Sequence, residues 1–172
     1  PWLPTGLRFT RSKNGQELLR FVERQRLRFV STMHAKGFLP ESHAHWMGVI
    51  GRARRTDVKA FTDWADLIIA VGYDPIEINY EEWTGQAPIV HISSEPAEQG
   101  DGLNFLWNKA CDLDAAITAL GTIEPAVNEW SPSKWRQHRA KLERALRPSS
   151  SGFAAHKALD ILRDRLPQDG IL

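Results

Sequence analysis

Three stretches of this sequence carry groups whose types and spacing suit ligand chemistry. In the first, Gly48-Val49-Ile50-Gly51 runs through Arg52-Ala53-Arg54-Arg55 into an expected helix. Unpaired N–H groups at a positive helix end attract an anion, and three arginines add charge. Gly51, Arg52 and Arg54 are therefore candidates to hold a nucleotide or coenzyme A phosphate. The same arginines also read as a solvated cluster facing another domain. The second stretch, Gly72-Tyr73-Asp74-Pro75-Ile76-Glu77, closes an apolar run. Open parallel sheets bind ligands beyond the carboxyl ends of their strands, which makes Gly72 and Asp74 candidates. Asp74 would repel a phosphate, and Pro75 equally supports a plain turn. The third, Ser93-Ser94-Glu95, follows another apolar run and offers the Glu95 carboxylate, although Pro96 again permits a simple turn.

Other reactive residue types lack company. His34, His43, His45 and Glu41 share one loop, but no cysteine is near, and a His-Ala-His pair is a weak metal signal, so no metal is expected. Cys111 is the single cysteine. It cannot form an internal disulfide, and without an activating base it reads as a packing residue. The seven tryptophans read as core and interface residues rather than a stacking platform for bases.

Stepping outward, the pattern of apolar residues predicts the elements that must position these groups. Among the first thirteen residues only Leu7 to Phe9 could pair as a short strand. Asn14 precedes a helix expected over 15–26, with Leu18, Leu19 and Val22 on one face. Arg28 to Thr32 reads as a strand, residues 33–47 as a loop, and Thr56 or Asp57 as the start of a helix reaching about Trp64. Leu67 to Val71 and Ile89 to Ile92 are continuous apolar runs of the kind that form parallel strands buried on both faces. A further strand is expected at Phe105 to Trp107, and a helix capped by Asp112 or Asp114 and ended by Gly121. This alternation predicts an α/β fold, a Rossmann-like parallel sheet with flanking helices. Residues 121–134 read as a linker, 135–146 and 153–166 as a C-terminal helical tail, and 169–172 as a turn toward another strand.

Charge and hydropathy narrow the function classes. Residues 1–60 carry 12 Lys/Arg against 4 Asp/Glu, residues 61–129 carry 1 against 13, and residues 130–172 carry 9 against 4. No nucleic-acid motif accompanies the basic ends, so no nucleic acid is expected as partner, and the segments neutralise one another within the fold or across an interface. No apolar run is long enough for a bilayer and no signal peptide opens the chain, which predicts no membrane partner and a cytoplasmic location.

Several stretches fall in a familiar order: Ser31-Thr32, Lys36-Gly37, Pro40-Glu41-Ser42-His43, Gly48-Val49-Ile50-Gly51, Ala65 to Gly72, Val90-His91-Ile92, and Glu95-Pro96-Ala97-Glu98. Together they resemble the central domain of thiamine-diphosphate-dependent enzymes of the acetolactate synthase type. The resemblance covers about residues 15–120 and includes the 18 positions from Gly48 to Asp66. It implies a parallel α/β sheet, with Leu7-Arg8-Phe9 a poor version of the family's first strand. It places the central domain at 1–120, the linker at 121–134, and at 135–172 the start of a pyrophosphate-binding domain.

The resemblance also says what the chain lacks. In the family, thiamine diphosphate and magnesium are held by flanking domains, so this chain is expected to contain no catalytic residue and to bind neither by itself. No Gly-Asp-Gly motif with its downstream Asn is present, and Asp101-Gly102 lies in the wrong context. Flavin-binding relatives usually show His-Gly where this chain has Ala53-Arg54, an arginine near Asp74, and acidic residues at Ser93 and Glu95. Ala53-Arg54, Asp74 and Ser93 depart from those features here, which argues against FAD and toward the catabolic, flavin-independent type. Two functions stay open: a non-catalytic central domain of such an enzyme, or a stand-alone binding or scaffold protein descended from one, holding a nucleotide or a protein partner. Homo-oligomerisation or association with other subunits is expected, because Trp2, Trp130 and Trp135 have no evident place in a core.

Overall fold

The computed structural model describes residues 1–51, 55–78, 83, 85–98, 102–126, 131–167 and 170. Six strands form one sheet: β1 (Trp2–Thr5), β2 (Arg28–Thr32), β3 (Trp46–Ile50), β4 (Ile68–Val71), β5 (Ile89–Ser93) and β6 (Phe105–Ala110). Every pairing is parallel, in the order β3-β2-β1-β4-β5-β6. Five helices accompany it: α1 (Gly15–Arg24), α2 (Arg55–Thr62), α3 (Leu113–Leu120), α4 (Pro132–Leu146) and α5 (Ala155–Arg165). This is the α/β, Rossmann-like sheet that the sequence predicts.

Alternation along the strands divides the core in two. One face gathers Trp2, Val30, Met47, Ile68 and Ile89 against Val58 and Phe61 of α2, with Trp135 of α4 at its margin. The other gathers Leu3, Phe29, Val71 and Ile92 against α1 and α3. Burial of both faces explains why these strands read as unbroken apolar runs. Asp112 caps α3 by accepting from the Ala115 N–H at 2.9 Å. Asn14 sits at the cap position of α1 without capping it. Its side chain reaches instead to the Asp114 carbonyl at 3.0 Å, joining α1 to α3.

Four expectations are corrected. The first strand is Trp2–Thr5, between β2 and β4, and Leu7–Arg11 is a 3-10 turn. Two prolines concealed a central strand, a position that normally excludes proline. Residues 46–47, expected in a loop, begin β3, and Gly48 to Ile50 continue the same strand. Gly48 marks a bulge: Phe29 pairs with Trp46 but Ser31 with Val49, so β3 carries one extra residue. Trp2, expected at a partner surface, is fully buried, edge-on to Phe61 and Trp83 at 6.0 and 5.3 Å. Trp135 also folds in, while Trp130 lies outside the described residues.

The helical tail divides in its behaviour. α4 lies along β3 and α2, with His138 and Leu142 buried and Leu142 against Gly48. α5 buries none of its residues, and Leu159, Ile161 and Leu162 are about half exposed. Its one described tie to α4 is the Arg147–Asp160 ion pair, with contacts of 2.5 and 2.9 Å. Among the described residues no helix is long and apolar enough to cross a membrane.

Candidate functional site

Strand order reverses between β1 and β4, and in open α/β sheets the crevice beyond that point receives ligands. Gly6 follows β1 and Gly72 follows β4, and here the two loops meet backbone to backbone. A Cβ on Gly6 would lie 2.5 Å from Tyr73 Cα, and one on Gly72 2.2 Å from the Phe9 nitrogen. Gly72 also has φ +60, so glycine is required there twice over. The Gly6 N–H donates to the Val71 carbonyl and the Arg8 N–H to the Gly72 carbonyl, each at 3.0 Å. Gly72 is therefore a packing residue at the base of the crevice.

The crevice already holds a carboxylate of the chain itself. Glu77 is almost wholly buried. Its Oε1 accepts from the Leu7 N–H at 2.8 Å and the Asp74 N–H at 3.3 Å, and its Oε2 from the Thr32 hydroxyl at 2.5 Å. His34 Nδ1 stands 3.4 Å from the same Oε2. Loop amides of this kind make an anion-binding nest. In this chain Glu77 occupies the nest, so a phosphate would meet a negative group where it would need N–H donors.

Beside it, Arg8 joins two of the candidate residues. One guanidinium nitrogen donates to Asp74 Oδ2 at 3.0 Å and the other meets Glu95 Oε2 at 2.7 Å. Burial works against the Arg8 charge, but the hydrogen bonds to Asp74 and Glu95 outweigh it and raise its pKa. Asp74 Oδ1 also accepts from the Ile76 N–H at 3.0 Å, fixing the turn that Pro75 opens. Asp74 thus belongs to a turn and to a polar cluster together. Two carboxylates share one guanidinium here and Glu77 lies in the adjoining nest, an arrangement that can accept hydrogen bonds from hydroxyl groups and disfavours phosphate.

The wall behind the cluster is β5. His91, fully buried, places Nε2 2.8 Å from the Tyr73 carbonyl and Nδ1 2.8 Å from Asn108 Oδ1, and burial lowers its pKa. Ser93 is fully buried and its hydroxyl has no partner among the described residues. Cys111 Sγ lies 3.5 Å from the Ser93 carbonyl and packs with the apolar core.

Gly51 is not brought to this cluster. It follows β3, three strand spacings from β4, or about 14 Å away across the sheet. Its φ is +142, and a Cβ there would meet nothing. Arg52, Ala53 and Arg54 lie outside the described residues. His43 bonds Glu23 at 3.0 Å, and among the described residues no three His, Cys, Asp or Glu side chains gather as a metal site. Sequence reading missed Arg8 and Glu77. The only signal for either was a lone charge beside a strand-ending glycine, and their partners lie as far as 70 residues away.

The family profile described as thiamine pyrophosphate enzyme, central domain, matches residues 1–120. An acetolactate synthase of Zea mays, chloroplastic, is 28% identical over 113 residues, covering 64% of this chain and 18% of that protein. A probable acetolactate synthase large subunit of Methanocaldococcus jannaschii is 30% identical over 115 residues, covering 61% of this chain and 20% of its own length. An acetolactate synthase of Mycobacterium bovis is 27% identical over 139 residues, 73% of this chain and 22% of the relative. The chain thus spans about a fifth of the length of the curated relatives it matches.

Proposed function

This chain belongs to the thiamine pyrophosphate enzyme central-domain family, and on that premise we propose that it serves as the central domain of an acetolactate synthase-like enzyme. The whole enzyme would decarboxylate a 2-oxo acid and transfer the two-carbon unit. The observation that carries this reading is the family match across residues 1–120, the same residues that form the sheet and α1 to α3. The stand-alone scaffold is the less favoured reading.

The residues present do not fit thiamine pyrophosphate or its magnesium. The described residues gather no metal-binding cluster, and the crevice at the strand reversal is filled by Glu77. Residues outside this chain would hold that cofactor and supply the electron sink. Residues 1–120 then act as a spacer with a polar pocket edge, residues 121–134 as the linker, and 135–172 as the start of a further domain. Charge argues against a flavin dinucleotide at the Arg8 cluster, because Asp74, Glu77 and Glu95 outnumber Arg8. The enzyme would work as an oligomer in the cytoplasm, with α5 covered.

One experiment tests the reading. The purified chain, given pyruvate, thiamine diphosphate and magnesium, should release no carbon dioxide above a buffer blank and should elute colourless from gel filtration. Turnover, or a flavin absorbance band that survives the column, refutes it.

A further inference from the structure

Arg28 opens β2 at the amino end of the sheet, away from the crevice, and is 7% exposed. Stripping water from a guanidinium is costly unless a counter-charge replaces the lost hydration. No carboxylate among the described residues pairs with it. Nη1 donates to the carbonyls of Arg26 at 3.0 Å and Leu27 at 3.2 Å. Nε is buried without a partner, and Nη2 bonds to none of the described residues. Burial alone pulls the Arg28 pKa down to about 10.

Further cations stand close by, and the nearby Glu23 carboxylate is already paired with His43. Arg28 lies 4.4 Å from the ring centroid of Trp135, and the Arg136 guanidinium lies 5.3 Å from the same ring. The Trp135 indole Nε1 is buried and also lacks a partner. Trp135 stands in the first turn of α4, a helix of 15 residues. That turn holds no acidic residue, and the Ser131 side chain does not cap it, so among the described residues nothing in the first turn or at the cap offsets the positive helix end. His45 is close enough that Arg28 adds to the effect of burial in lowering its pKa to about 4, and its buried Nδ1 is unpartnered too.

We propose that Arg28, Trp135 and the first turn of α4 form a binding site for one carboxylate, received side-on by the Nε–H and Nη2–H pair of Arg28. That pair matches the two oxygens of a planar carboxylate, and the indole N–H of Trp135 is available as a third donor. The source is either a small free carboxylic acid or an acidic side chain of a neighbouring polypeptide. The recognising chemistry is the same.

The test uses the full 172-residue chain. Its Arg Nε–H and indole N–H resonances are followed by NMR during titration with sodium acetate, and separately with a blocked tripeptide bearing one glutamate. Sodium chloride and sodium phosphate at equal ionic strength serve as comparisons. The Arg28 Nε–H and Trp135 Nε1–H signals should move saturably with a carboxylate. Saturation by acetate assigns the site to a free acid, and saturation by the tripeptide alone assigns it to a protein side chain. Arg28→Lys should weaken the response at least about tenfold, because one charged hydrogen bond is worth that much. Trp135→Phe, which keeps the ring but not the donor, should weaken it less. No saturable shift with either carboxylate overturns the proposal, as does an equal response to chloride or phosphate. These comparisons need only the unmodified protein, so a variant that fails to fold does not rescue the idea.

Discussion

Replacing Gly48 by alanine tests the packing of α4 on the sheet. The residue stands at the bulge in β3 with φ +123, and a Cβ there would lie 2.9 Å from Leu142 Cδ2 and 3.2 Å from Val58 Cγ2. Two costs combine. Forcing a side chain into glycine-only backbone space costs on the order of 1–3 kcal/mol, and overpacking a tight contact costs about 1–3 kcal/mol more. Gly48→Ala should therefore lose roughly 2–6 kcal/mol. Leu142 is 2% exposed, so Leu142→Ala alone should lose about 2–4 kcal/mol. The double variant should not lose the sum, because the space vacated by leucine admits the new methyl. Only the overpacking part against Leu142 is relieved, and the backbone strain and the Val58 contact remain, which sets the coupling at about 1–2 kcal/mol. Urea unfolding followed by tryptophan fluorescence and far-UV circular dichroism measures all four corners of the cycle, provided the slope with denaturant stays constant. Losses that add to within about 0.5 kcal/mol would show that α4 does not rest on β3.

Glu77→Ala should cost about 3 kcal/mol, since the Leu7 and Asp74 amides and the Thr32 hydroxyl lose an acceptor in a closed place. A change under about 1 kcal/mol in urea midpoint energetics would mean that water serves these donors equally well. His45 takes a proton at pH about 4 in the folded chain, chiefly because of burial and then Arg28, and near pH 6.5 when unfolded. The unfolded state binds the proton more readily, so stability is full above about pH 6.5 and falls as the pH drops toward 4. Buried His91 and His138, whose pKa values are lowered by desolvation, add the same sign. His45→Gln should flatten the loss over that window, and an unchanged slope would exclude His45 as a contributor. Light scattering across a concentration series should give a mass above 19.5 kDa if α5 finds a copy of itself, and a constant 19.5 kDa at every concentration would refute self-association.

Local pattern revealed most of the sheet. β4 was legible because a strand covered on both faces reads as a continuous apolar run, and β2 and β5 because their β-branched and aromatic residues keep most of that pattern around Arg28, Ser31 and His91. α3 was legible to its cap, because Asp112 carries the acceptor for the Ala115 N–H in its own side chain. β1 was hidden because its evidence is not local: Pro4 breaks the pattern that Trp2 and Leu3 begin, and only pairing with β2 and β4 makes the segment a strand. The site was half legible for the same reason. Asp74 and Glu95 could be found from their place after strand ends, but Arg8, which joins them, is 66 residues from Asp74 in sequence. Trp2 and Trp135 misled because an aromatic outside a periodic segment looks surplus until the helix or strand that receives it is known.

The place of β1 has a consequence for the order in which the chain can fold. Trp2 pairs on one side with Arg28 and on the other with Ile68, so the first of the six strands to be synthesised must wait for β4 before both of its edges are satisfied. At usual elongation speeds, about 5–20 residues per second, residues 2–5 wait on the order of 3–13 seconds after their own synthesis before β4 exists. Through that interval Trp2 and Leu3 have one possible neighbour, β2, and the β1–β2 ribbon presents an open edge. β4 closes that edge and brings β5 and β6 with it, so the sheet assembles as two halves zipped together along a four-residue seam. Cutting those first residues away would divide the sheet into a pair and a trio of strands, each with a newly bared edge, and leave two partial folds in place of a slightly shorter one.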